Sequence, residues 1–308
     1  MKHIISILSA IMLMLLQTPS RAGHGGTAMP HLAIDRNPAS LASGGARLLN
    51  FSSLAGASSS NPSLIPFSQK TLDAGLSWQN WTPSETGWYS LGASVKAGNR
   101  FGVALGFDYG RSKGYEMVDE NNNSLGTFNP VELTGSLGFS CRFADWLSAG
   151  ANLRYATGKL SPDFSRGCFG ADLFLTTVLD SGFKAALGVS QLGTPVKSVS
   201  GEKFSAPSSA AVAAGYEIKA SGAHKIQAEL DFRYFFAGSL DLSAGFEYCW
   251  KEKISARAGY HYGDMIPSFV SAGTGFCFKG VRLDFAWFTG FGGSPLSNGI
   301  SAGLGYGF

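Results

Sequence analysis

The chain has 308 residues and a formal net charge of +3; 15% of residues are charged, 13% are aromatic and 41 are glycine. So many rings exclude a disordered polypeptide, and so small and scattered a positive charge excludes a nucleic-acid-binding surface. Cys141, Cys168, Cys249 and Cys277 form no Cys-x-x-Cys pair, and His24, His31, His224 and His261 have no ligand spacing, so neither a metal site nor a cofactor is expected.

At the start of the chain, Lys2 and His3 precede an apolar run from Ile4 to Leu16, followed by Pro19, Ser20, Arg21 and Ala22. That order is the pattern of a signal peptide, residues 1–22, with cleavage after Ala22. The run is too short for a bilayer-spanning helix. No later stretch is longer, so the exported protein is either soluble or crosses a membrane by strands.

Residues 23–70 have no regular period. The stretch "HLAIDRNPASLASGGARLLNFSSLAGASSSNPSLIPFSQ" mixes short apolar clusters, small residues and Pro38, Pro62 and Pro66. It reads as short helices and turns that fill or cap the periplasmic mouth of a barrel. "GHGG" at Gly23 to Gly26 lacks the Gly-x-Ser-x-Gly partner of an esterase, and no catalytic residue is assigned anywhere in the chain.

From Thr71 to the end the period is two. Leu72, Ala74, Leu76 and Trp78 alternate with Asp73, Gly75, Ser77 and Gln79, and the pattern recurs through Phe101 to Tyr109, Leu147 to Tyr155, Ile226 to Tyr234 and Ile300 to Phe308. About fourteen such segments of about ten residues match antiparallel strands tilted across a bilayer. Charged residues such as Asp108, Arg154, Asp172, Lys184 and Glu247 occupy the opposite parity from the apolar series. A lipid-facing wall requires that sorting, because a basic residue at mid-membrane costs about 2–4 kcal/mol. Cys168, Cys249 and Cys277 share the inward parity and read as small lumen fillers rather than disulfide partners.

Connections sharpen the reading. Tight turns are expected around Asn99, Ala144-Asp145, Asp180-Ser181, Ala220 to Gly222, Lys251-Glu252 and Lys279-Gly280. Longer ones are expected at Ser112 to Pro130, Gly158 to Gly167, Leu192 to Ser208, Gly263 to Ser268 and Gly290 to Asn298, with a short one near Phe236 to Gly238. Alternation of this kind separates the periplasmic turns from the external loops of an outer-membrane barrel. The expected fold is therefore all-β: a transmembrane antiparallel barrel of about fourteen strands over residues 71–308, with a short N-terminal irregular plug over residues 23–70. Its wall would contact outer-membrane lipid. The inward set Glu229, Asp231, Arg233, Arg257, Arg282 and Asp284 is a candidate polar network across the lumen.

"GGARLLNFSSLAGASSSNPSL" resembles the N-terminal signature of the PorV/PorQ family, with Gly44, Gly45 and Ala46 ahead of Asn61, Pro62 and Ser63. "GFEYCWKEKISARAGYHYGD" and "VRLDFAWF" resemble that family's C-terminal strands. The resemblance implies a non-enzymatic outer-membrane barrel of type IX secretion, distantly FadL-like. Its partners would be the translocon barrel, attachment-complex proteins and substrates with C-terminal signal domains. The six motif residues carry over as structural positions only. Tyr306 and Phe308 resemble the terminal aromatic signal read by the barrel-insertion machinery. The alternative function is a FadL-like channel for hydrophobic small molecules.

Overall fold

The computed structural model describes residues 26–308 except 83, 84, 199, 221, 222, 293 and 295. The proposed signal peptide, its cleavage point, His24 and most of "GHGG" lie outside the described residues. Strands β1 (Leu72–Trp81), β2 (Thr86–Ala97) and β3 (Phe101–Arg111) lead to a small external hairpin, β4 (Tyr115–Val118) and β5 (Ser124–Phe128). The wall resumes with β6 (Val131–Ala144), β7 (Leu147–Ser161), β8 (Phe164–Val178) and β9 (Phe183–Gly193). A second small hairpin follows, β10 (Val196–Lys197) and β11 (Lys203–Phe204). The chain then completes the wall with β12 (Ser209–Ala220), β13 (His224–Phe235), β14 (Ser239–Trp250), β15 (Ile254–Gly263), β16 (Phe269–Phe278), β17 (Val281–Gly290) and β18 (Gly299–Gly307).

Apart from the two hairpins, consecutive strands pair antiparallel, and β1 pairs with β18 to close a barrel of fourteen strands. The closure is in register over its whole length, with Leu76 opposite Leu304 and Trp78 opposite Ala302. Closure leaves no unpaired edge, which is how a sheet of this size avoids edge-to-edge association. No described helix is long and apolar enough to cross a membrane.

The period-two pattern becomes two faces. Outside, Leu91, Leu105, Leu153, Phe169, Leu230 and Phe285 are among a large set of exposed apolar side chains. Inside, Asp108, Arg154, Asp172, Lys184, Asp241 and Glu247 are buried. An exposed apolar band around a closed cylinder is the signature of an outer-membrane barrel rather than of a protein stable in water. All four cysteines are free, with Cys168 and Cys249 buried.

Short connections (98–100, 145–146, 179–182, 251–253 and 279–280) gather at one end of the barrel, and the two hairpins and most longer loops at the other. One expected loop is replaced by strand. Over Gly158 to Gly167, β7 and β8 extend past the rest of the rim and turn at residues 162–163, pairing out to Ser161 opposite Phe164. The pairing shifts register between Lys159 and Ser161, and backbone pairing satisfies N–H and C=O groups that a loop would have to offer to water.

The N-terminal segment passes through the lumen from end to end, whereas the sequence suggests only a cover for the periplasmic mouth. It enters at the long-loop end, where the Ala28 amide donates to Ser205 O at 2.9 Å. It leaves at the short-turn end, where Lys70 Nζ lies 3.2 Å from Asp73. Along the way lie 3-10 turns at Pro30–Ala33, Leu54–Gly56 and Pro62–Phe67 and one short helix, α1 (Pro38–Ala42). Asn37 and Asn61 cap α1 and the last turn, their side chains accepting from Ala39 N and Ser63 N, each followed by a proline at the first helical position.

Candidate functional site

The lumen is filled because plug and wall are both built from small residues where they meet. Gly44 and Gly45 have positive φ of 71° and 75°, and a Cβ on Gly44 would lie 2.6 Å from the Tyr260 backbone nitrogen. Glycine is required there twice over, by conformation and by space. The facing Gly259 could not carry a Cβ either, since it would collide with Ser43 and Gly44. Gly150 meets Ser63 N, Gly303 meets Pro38 and Gly273 meets Ala42 in the same manner. The glycines that alternate along β18 are thus the floor on which the plug and neighbouring side chains rest.

The candidate polar network divides in two. Arg282 chelates Asp73 through Nη1 and Nη2 at 3.0 and 3.1 Å and also bonds Asp284 Oδ2 through Nε at 3.0 Å. Arg257 bonds the other Asp284 oxygen at 2.7 Å and reaches Glu247 at 2.5 Å. These alternating charges cross β14, β15, β17 and β1, so they tie the wall across the β1–β18 seam. They also grip the plug: Ser53 Oγ accepts from Arg282 at 2.6 Å, and Ser52 Oγ donates to Glu247 at 2.9 Å.

Glu229 and Asp231 do something else. Their carboxylates accept plug backbone amides, Leu49 N to Glu229 at 2.9 Å and Arg47 N and Leu48 N to Asp231 at 2.9 and 3.1 Å. Arg233 makes no hydrogen bond to either group among the described residues and donates to Ser209 Oγ at 3.4 Å, although its charge acts on Asp231. The set is therefore one ion ladder and one plug clamp rather than a single network.

Of the motif residues, Asn61 is the busiest. Fully buried, it donates to Leu48 O and to Thr176 Oγ1 of β8 at 2.9 and 3.0 Å and accepts from Ser63 N and Ser63 Oγ. Pro62 and Ser63 pack on Gly138 and Gly150, and Ala46 is buried. A second buried hub, Asp172, accepts from Arg154, Asn152 Nδ2 and Gln191 N, the last at a bulge in β9. Tyr306 and Phe308 are exposed beside one another, ring centroids 6.1 Å apart, on the outer face at the short-turn end.

Sequence reasoning missed a strip of inward aromatics at the long-loop end. Trp88, Trp81, Phe288, Phe269 and His261 form a chain of ring contacts with centroid separations of 4.7, 6.4, 5.7 and 5.0 Å. They come from β2, β1, β17, β16 and β15 and are covered by Leu41 of α1 and by Ile266 and Leu296 of two loops. Between this strip and Arg47, Asp231 and Asp241 is a cavity of about 40 Å³, room for a few waters and no more. The available signal was parity: these are large rings at positions where most of the lumen face carries small or polar residues, with Phe174 and Phe235 the other buried rings of the wall.

The fold is a closed fourteen-stranded antiparallel barrel threaded by its own N-terminal segment, a fold that is FadL-like in its neighbours. It is similar to the Pseudomonas putida toluene transporter TodX, at TM-score 0.63 and 14% identity over 87% of this chain and 96% of that one. It is also similar to the Ralstonia pickettii toluene transporter TbuX, at TM-score 0.60 and 12% identity over 88% and 97%. A Pseudomonas aeruginosa FadL homologue superposes at TM-score 0.51 and 12% identity over 88% and 95%. At these identities the likeness is one of fold. No protein-family model and no curated protein sequence matches the chain.

Proposed function

We propose that the protein is a non-enzymatic outer-membrane channel for hydrophobic small molecules, with short turns in the periplasm and long loops outside. The observation that carries the reading is the inward aromatic strip at the external mouth, an apolar surface facing a small cavity. Apolar binding sites with a few convergent polar groups are the usual form of small-molecule sites. The fold shared with two toluene transporters supports it. The lumen is shut at the strip, with only about 40 Å³ open, so passage requires α1 and its neighbours to withdraw from the rings.

The test is ligand binding by the purified barrel, read through Trp81 and Trp88. Toluene should change their fluorescence saturably, and Phe269→Ala should weaken the change. A response no different from that of free tryptophan would sink the reading. The secretion role implied by the PorV/PorQ resemblance is the second reading, carried by Gly44, Gly45, Ala46, Asn61, Pro62 and Ser63; the shared fold supports the channel more directly. Retention of a translocon barrel or attachment-complex protein in mild detergent would favour secretion.

A further inference from the structure

The outer face of the fourteen barrel strands is almost free of charge. Among the described residues it carries two side chains of the Asp, Glu, Lys and Arg type, Arg111 and Lys159, both exposed and both at the long-loop end. Each continues an apolar series, Phe101 to Tyr109 on β3 and Leu147 to Thr157 on β7. The two are not independent. Arg111 is opposite Val131 on β6, and Val131 is opposite Lys159, so the cations occupy one row of the sheet with a single strand between them. Adjacent strands lie about 4.8 Å apart, which puts their backbones roughly 10 Å apart across a modest valine.

The two head groups reach residues adjacent in the chain, Asn129 and Phe128. Arg111 Nη2 donates to Asn129 Oδ1 at 3.1 Å, and Lys159 Nζ lies 6.0 Å from the centre of the neighbouring Phe128 ring. Ser165 extends the row on β8 as Lys159's partner. No carboxylate makes an ion pair with either cation among the described residues. One row nearer the membrane centre the wall is Tyr109 and Leu133, so the cations sit where acyl chains give way to head groups.

We propose that Arg111 and Lys159 form a clamp for the phosphate of an outer-leaflet lipid. A phosphate monoester carries close to two negative charges and several acceptor oxygens, and a guanidinium beside an ammonium matches both features. The lipid's chains would lie along the apolar columns below, which a free anion could not use. The inference rests on the membrane reading of the wall and not on transport.

The test uses the full barrel in detergent, titrated with lipid A bearing two, one or no phosphates and read by native mass spectrometry. Wild type should retain the phosphorylated forms on the order of tenfold better than the dephosphorylated form. An Arg111→Gln/Lys159→Gln variant should lose that preference, while Lys251→Gln/Lys279→Gln at the opposite rim keeps it. Heat-dependent gel migration shows that each variant is folded. Equal retention by the double variant, absence of a phosphate preference in wild type, or displacement of the lipid by millimolar inorganic phosphate would each overturn the clamp. If instead no lipid of any kind is retained, the membrane reading itself fails, an outcome separate from loss of the phosphate preference.

Discussion

At the short-turn end the plug is held by ions and buried amides; at the long-loop end its α1 side rests against rings, while Arg36 and His31 pair its other side with Asp108 and Glu132. The lower half joins Arg282, Asp73, Asp284, Arg257 and Glu247 to Ser52 and Ser53, beside an apolar cluster of Leu48, Leu49, Leu64 and Ile65 packed on Phe174 and Ala186. The upper half has α1 on Phe269 and Phe288 and a small cavity between these rings and Arg47, Asp231 and Asp241. Buried ion pairs resist separation because each partner, once alone, is a stranded charge. Apolar contacts carry no such penalty and can be exchanged for contacts with an apolar ligand. The difference assigns opening to the α1 side of the plug, where rings replace ions, and anchoring to the rest.

The sharpest way to break this contrast is Arg282→Met, which removes the shared cation and leaves Asp73 with Lys70 and Asp284 with Arg257. It should lower stability by about 4 kcal/mol, measured as the unfolding midpoint in detergent. Next is Asn61→Ala, which removes four hydrogen bonds in a fully buried site and should cost about 3 kcal/mol in the same assay. On the other side of the comparison, Phe269→Ala should weaken toluene binding about fivefold, the value of one aromatic contact. Its effect on binding should exceed that of Arg282→Met at temperatures where both are folded.

The smallest effect lies outside both halves, in the external loop. Asp119 accepts from Asn121 N, Asn123 N and Asn123 Nδ2 at 2.8, 2.8 and 2.9 Å. These bonds, the Asn123 side chain foremost, hold its pKa below the ordinary carboxylate value. A depressed pKa contributes order above the unfolded value and loses it as pH falls through the folded one. Amide exchange at residues 119–123 should therefore quicken in acid below the usual carboxylate range, with the aromatic strip unchanged.

Much of the wall was legible because its information is local. A strand shows its two faces within four residues, so Leu72 to Trp78 or Ile300 to Phe308 declares which side is apolar, and tight turns such as Lys279-Gly280 mark the ends. The plug was legible as a separate segment but not as a thread, since its path depends on glycines such as Gly150 and Gly259, far away in sequence, leaving room for Ser63 and Ser43. The division of Glu229 and Asp231 from Arg257 and Asp284 was equally hidden, because which carboxylate meets a plug amide is set by that path. The aromatic strip was the exception. Trp81, Trp88 and Phe288 each break parity in plain view, but only strand neighbours reveal that they touch.

The central claim is that this barrel conducts hydrophobic molecules only when the plug moves, and a locked plug tests it directly. A Cβ on Gly303 of β18 would lie 3.0 Å from Pro38 Cγ at the start of α1, within reach of a disulfide. In a background lacking the four native cysteines, Pro38→Cys/Gly303→Cys should join α1 to the wall. Uptake of labelled toluene by cells whose only such barrel is this variant should be slow when oxidised and rise to the wild-type rate on reduction. Equal uptake in both states, or in cells without the barrel, would contradict the account.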